Sequence, residues 1–135
     1  MVQKSEKIWF DGKLVPWDEA NVHVLTHTLH YGAGVFEGIR AYECADGSSA
    51  VFRLMEHIVR LHDSAHIIGL KVPFDVEELM DACVETLQVN KLKAGYIRPL
   101  VFIGDGAMGV HPGKNPIRVA IATWPWGAYL GEEAL

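Results

Sequence analysis

Two successive stripes of apolar residues at helical spacing, set between two blocks of strand-like sequence, restrict this chain more than any other feature. The first stripe is Leu54, Ile58, Leu61, Ala65 and Ile68, with Gly69 directly behind it as a helix stop. The second is Val76, Leu79, Met80, Cys83, Val84 and Leu87, ending near Asn90. It opens at Asp75 with Glu78 three residues on, the spacing of a capping box. A helix with one apolar stripe needs one apolar surface to cover, and the flanking strands provide it.

Before the helices, Ile8 to Phe10 and Lys13 to Val15 flank Asp11-Gly12, a pair suited to a tight type I′ hairpin turn. Val22 to Leu25 reads as a further short strand. In Thr26 to Gly34 the glycines Gly32 and Gly34 point to a turn rather than a regular element. Val35 to Tyr42 reads as one strand, with Ala50 to Arg53 as its return partner across Asp46-Gly47. After the helices, Gly95 to Ile103 and Ile117 to Trp124 read as two long strands, joined by a loop rich in Gly and Pro. The expected fold is α+β: a mainly antiparallel sheet with two helices on one face.

Composition narrows the function classes. The 135 residues suffice for one domain, and the net charge of −5 argues against a nucleic-acid binder. No apolar run approaches the roughly 20 residues that span a bilayer, and the polar start is unlike a secretory signal. Cys44 and Cys83 lie far apart without metal-type spacing, which fits a reduced, cytoplasmic setting. His23, His27 and His30 are spaced four and three apart, as helical zinc ligands are, but the strand-like Val22 to Leu25 breaks that geometry. His62 and His66 have no clear third ligand, so no metal is expected. The run Gly104 to Gly109 matches a nucleotide-binding glycine motif by spacing, yet no helical pattern follows it.

Strand alternation gathers the remaining candidates. Phe36, Gly38 and Arg40 share one face of their strand, and Tyr96 and Arg98 point the same way on theirs. A phenol beside a guanidinium can hold a carboxylate; it can equally be an arginine lying over a tyrosine on a solvated sheet face. Arg60 lies off the apolar stripe of the first helix, where it can bind a phosphate or pair with Glu56 or Asp63. The aromatic end Trp124-Pro125-Trp126-Gly127-Ala128-Tyr129 suits a core, an interface or the wall of an apolar pocket.

Taken together, four strings resemble the branched-chain amino-acid aminotransferases, in order and in register. They are His30 to Arg40 (HYGAGVFEGIR), Arg60 to Ala65 (RLHDSA), Tyr96 to Leu100 (YIRPL) and Pro125 to Tyr129 (PWGAY). The resemblance covers essentially the whole chain and is strongest to the bacterial enzymes. It implies the N-terminal small domain of the fold-type IV pyridoxal-phosphate enzymes, with two domains around the cofactor and two subunits completing each active site. It implies that Arg60 binds the cofactor phosphate and that Tyr96 helps hold the substrate α-carboxylate. Arg98 would then take the distal carboxylate of glutamate. Phe36, Trp126 and Tyr129 would wall the side-chain pocket, Gly38 would leave room beside the substrate, and Tyr31 and Val110 would come from a neighbouring subunit.

The implied reaction is transamination of leucine, isoleucine or valine with 2-oxoglutarate, in a homodimer or higher homo-oligomer. A D-amino-acid aminotransferase or an aminodeoxychorismate lyase of the same fold is the nearest alternative. A non-catalytic dimerisation module, associating through an exposed apolar end, is another. The implied division is a small domain over residues 1–125 and the start of an interdomain link over 126–135. None of Lys4, Lys7, Lys13, Lys71, Lys91, Lys93 and Lys114 corresponds to the lysine that forms the Schiff base, which belongs to the C-terminal domain. By itself the chain is therefore expected to show no turnover.

Overall fold

The computed structural model describes residues 2–125. Its strands are β1 (Lys7–Phe10), β2 (Lys13–Pro16), β3 (Gly34–Phe36), β4 (Ile39–Glu43), β5 (Ser49–Val51), β6 (Gly95–Ile103) and β7 (Ile117–Trp124). They form one sheet in the order β2-β1-β7-β6-β4-β5, with β3 also on β6, and every pairing is antiparallel. The helices are α1 (His27–Tyr31), α2 (Leu54–Ile67) and α3 (Val76–Val89). The α+β fold with two long helices against an antiparallel sheet is the architecture the helical stripes require.

The stripes do what their spacing demands. Ile58, Leu61 and Ala65 of α2, with Leu79, Cys83 and Leu87 of α3, are buried against Ile39, Ile97, Val101, Val119 and Ile121 of the sheet. Burial pushes the Cys83 thiol up to about 12, so it behaves as a small apolar side chain. Asp75 and Glu78 close the expected capping box on α3. Gly69, at φ +77°, ends the α2 segment. Two stripe members are exposed, however: Ile68, just past the end of α2, and Val84, within α3. Asp11 and Gly12 both take positive φ, as a type I′ turn needs. At the end of α3, the Asn90 amide donates to Lys7 O and Thr123 Oγ1 and accepts from Lys7 N, tying helix to sheet.

Three local readings need correction. Val22 to Leu25 is not a strand; it is irregular, with Val22 lining a cavity on the sheet face opposite α2 and α3 and with Val24 and Leu25 exposed. Thr26 to Gly34 is not only a turn, because it contains the five-residue α1, closed by Gly32 at φ +74°. The single strand from Val35 to Tyr42 is interrupted at Glu37-Gly38. The pairing frame with β6 is the same on both sides of the gap, so no residue is inserted. The cause lies across the ladder. Glu37 N donates to Pro99 O, but proline has no N–H to return the bond. With β5 pairing only Ala41 to Glu43, the stretch from Gly34 to Gly38 is an open edge of the sheet among the described residues.

Candidate active site at the open edge of the sheet

Strand alternation, unbroken across the interruption, sends neighbouring side chains to opposite faces at the same edge. Glu37 continues the inward alternation of Ile39 and Ala41 and is only 6% exposed. A carboxylate there needs partners, and α2 brings them. Arg60 Nε donates to Glu37 Oε1 at 2.6 Å and its Nη2 donates to Oε2 at 2.7 Å. His57 Nδ1 lies 2.9 Å from Oε2, which assigns the proton to that nitrogen as donor. The Arg60 guanidinium, with help from His57, holds the Glu37 carboxyl below the usual carboxylate range despite the opposing effect of burial. Arg60 is raised in turn by Glu37.

This arrangement revises the reading of Arg60 in isolation. Its partner is Glu37, not Glu56 or Asp63; Glu56 pairs with Arg53 instead. The fork to Glu37 fixes the guanidinium plane, while the side chain stays 66% exposed and Nη1 has no partner among the described residues. Glu37 and His57 were not singled out in the sequence. The signal was available for Glu37: a charged residue on the face that Ile39 and Ala41 bury.

The other face carries the second group. Phe36, Tyr96 and Arg98 meet there, with the Arg98 guanidinium 4.4 Å from the Phe36 ring centre and its Nη2 donating to Tyr96 Oη at 2.8 Å. Arg98 is partly buried and its Nε is buried without a hydrogen-bond partner, so it is not an arginine lying over a solvated face. Tyr96 also packs on Trp124, with ring centres 4.9 Å apart. Gly38 faces the same cluster. A Cβ there would collide with the Tyr96 hydroxyl and come within 3.0 Å of Cζ, so the missing side chain is what lets the phenol reach its position. Beyond Arg98 the same sheet face forms an apolar cavity of about 290 Å³, with Phe10, Leu100, Phe102 and Ala122 in its floor and Leu29 in its wall.

Tyr31 and Val110 lie apart from this cluster in the sequence reading, and the structure brings Tyr31 to the loop that carries Val110. Tyr31 Oη donates to Met108 O at 2.6 Å, which fastens the Gly104 to Pro116 loop to α1. Val110, two residues on, is 79% exposed. The three upstream histidines have separate backbone partners: His23 accepts from Leu25 N, His27 bonds Gly109 O and His30 bonds Val24 O. Among the described residues no group of three His, Cys, Asp or Glu side chains is placed to hold a metal ion. Nor is any helix there long and apolar enough to cross a membrane. Trp126, Tyr129 and the expected link over 126–135 lie outside the described residues.

The open edge, with a guanidinium on one side and a phenol–guanidinium pair on the other, coincides with a family match. The family model described as amino-transferase class IV matches residues 34–135. This chain belongs to the class IV aminotransferases. Among class IV members, it is 50% identical over its whole length to the branched-chain-amino-acid aminotransferase of Pseudomonas aeruginosa. It is 52% identical over 134 residues to the enzyme of that name from Escherichia coli K12. It spans 44% and 43% of those two relatives, so it corresponds to less than half of their length. A crystal structure of the Escherichia coli branched-chain enzyme matches 98% of the chain with a TM-score of 0.93 at 51% identity, using 43% of that structure. The T.th. branched-chain enzyme complexed with N-(5′-phosphopyridoxyl)-L-glutamate matches 91% of the chain with a TM-score of 0.87 at 47% identity, using 41% of that structure.

Proposed function

We propose that this chain forms the small-domain half of a pyridoxal-phosphate-dependent branched-chain amino-acid aminotransferase, exchanging the amino group of leucine, isoleucine or valine with 2-oxoglutarate. The observation that carries the reading is the pair of anion-seeking groups on opposite faces of one unpaired strand edge. On the α2 side, Arg60 offers an exposed Nη1 edge on a guanidinium whose plane Glu37 fixes, which fits a phosphate monoester. On the other side, Tyr96 and Arg98 offer a phenol and a second cation beside the apolar ring of Phe36. Arg60 would hold the cofactor phosphate on one side of Phe36 to Gly38, and Tyr96 and Arg98 would receive substrate carboxylates on the other. Pyridoxal phosphate, when bound, supplies the electron sink for deprotonation at the substrate Cα.

In this reading the chain's own residues bind and orient. Arg60 holds the phosphate, Tyr96 takes part in binding the α-carboxylate, and Arg98 receives the distal carboxylate of glutamate. Phe36, with Trp126 and Tyr129, walls the aliphatic side, where discrimination is modest at about 1–3 kcal/mol per methylene, so three branched substrates share one pocket. Tyr31 and Val110 act on a neighbouring copy, in a homodimer or larger homo-oligomer. Their common anchorage on the exposed Gly104 to Pro116 loop supports this. The similarity of this chain to enzymes named for branched substrates favours that class over a D-amino-acid aminotransferase or an aminodeoxychorismate lyase.

The test places this chain in full-length context, replacing the matching segment of the Escherichia coli relative. The chimera is expected to transaminate L-leucine with 2-oxoglutarate, and Arg60→Gln to weaken pyridoxal-phosphate binding by roughly tenfold or more, read by absorbance titration. Turnover of D-alanine but not L-leucine would refute the substrate class. Unchanged cofactor affinity in Arg60→Gln would refute the phosphate role.

A further inference from the structure

Between β6 and β7, the Gly104 to Pro116 loop is gripped by the five-residue helix α1, too short to be stable by itself. The grip includes four contacts. Thr28 Oγ1 accepts from Ile103 N at 2.8 Å, and His27 N donates to Gly104 O at 3.3 Å, which fix the start of the loop. Tyr31 Oη donates to Met108 O, and His27 Nε2 lies 2.8 Å from Gly109 O. Because its partner is a carbonyl, Nε2 carries the proton. The His27 ring is 1% exposed, stacks on Tyr31 with centres 4.5 Å apart, and leaves Nδ1 with no partner among the described residues.

A buried imidazole with one hydrogen bond spends that bond on the carbonyl immediately before Val110. We propose that His27 is a positioning residue, which fixes the Gly109 carbonyl and so the direction in which Val110 leaves the loop. The inference rests on the reading above, in which Val110 and Tyr31 complete the substrate pocket of a neighbouring copy. Tyr31 and Val110 then form one rigid unit with His27 at its base: the ring supports the Tyr31 side chain on one side and holds the loop tip with its nitrogen on the other. An apolar ring in its place keeps the stack on Tyr31 and loses the tie to Gly109.

The experiment is a double-mutant cycle between His27→Phe and Val110→Ala in the full-length chimera, with KM and kcat for L-leucine. Val110→Ala and His27→Phe are each expected to raise KM about fivefold, the scale of one hydrogen bond or one buried methyl pair. With kcat held within about twofold, the double variant should be little worse than Val110→Ala alone. His27→Gln, whose amide nitrogen reaches the same carbonyl, should restore KM; a merely structural role would not give that rescue. Unchanged KM in Val110→Ala overturns the shared-pocket reading and the inference with it. A raised KM in Val110→Ala, with no effect or a fully additive effect of His27→Phe, overturns the role of His27 alone. Should His27→Phe not fold, His27→Asn, whose amide stops a methylene short, takes its place under the same criteria.

Discussion

Replacing Glu37 by glutamine tests the arrangement that orients Arg60 without altering its shape. The native carboxylate accepts three hydrogen bonds, two from Arg60 at 2.6 and 2.7 Å and one from His57 at 2.9 Å. Glutamine keeps one oxygen as an acceptor and presents an amide to the second donor, so at least one of the three becomes a donor–donor contact. Hydrogen bonds to a buried charge are worth about 1.5–3 kcal/mol each, but Arg60 is largely solvated and its share is screened. The substitution also relieves the cost of burying a charge. The net expected loss for Glu37→Gln is about 2 kcal/mol at neutral pH, measured by urea unfolding. The sign with pH is set by the lowered Glu37 pKa: its contribution is present above the ordinary value of 4.5 and is lost as pH falls through the lower native value. The gap between wild type and Glu37→Gln should therefore narrow in acid, below pH 4.5. Asp18→Asn, which breaks the exposed pair with Lys4, should leave stability unchanged and serves as the control. A gap that stays constant from neutral pH into acid, or a Glu37→Gln no worse than Asp18→Asn, refutes the argument.

Three further substitutions probe other parts of the frame. Asp75→Ala removes the side-chain acceptor of the α3 capping box and should cost about 1 kcal/mol in urea unfolding, with Asp75→Asn recovering most of it. Gly12→Ala meets only ordinary contacts with Phe74 but sits at φ +89°, so a loss of about 1 kcal/mol should come from the backbone alone, and Gly12→Asn should lose less. Gly38→Ala drives a methyl into the Tyr96 hydroxyl, so it should lower the thermal midpoint by several degrees, and adding Tyr96→Phe should recover part of the loss. Absence of that recovery would mean that Tyr96 is not what Gly38 accommodates.

Much of the frame was legible because it depends on local rules. The Asp11-Gly12 turn, the Asp75 cap and the two helical stripes each follow from a few neighbouring residues. Alternation also put Phe36 and Gly38 on one strand face and Tyr96 and Arg98 on another, although it could not say that the two faces are the same surface. The antiparallel register of Phe36 with Leu100 makes them so. What local rules missed needs a partner far away in the chain. Val22 to Leu25 has the composition of a strand but pairs with none among the described residues, and its Val22 lines the cavity on the sheet face instead. The Val35 to Tyr42 strand breaks for a reason located in Pro99.

The same long-range logic explains why the candidate site lies where it does. Pro99 withholds one donor opposite Glu37, which interrupts the ladder there, and among the described residues no strand pairs on the outer side of Gly34 to Phe36, so a segment of backbone edge is left open. An open edge is a liability in most sheets, and α2 answers it on one side with the Glu37–Arg60–His57 cluster. Arg60 thereby reaches the edge as a fixed, charged fork rather than a mobile surface chain. On the other side the absent Gly38 side chain admits the Tyr96 phenol, which Arg98 then holds. Two candidate binding groups of opposite orientation thus meet at one strand, where a proline and a glycine, in different strands, each remove something the sheet would otherwise contain.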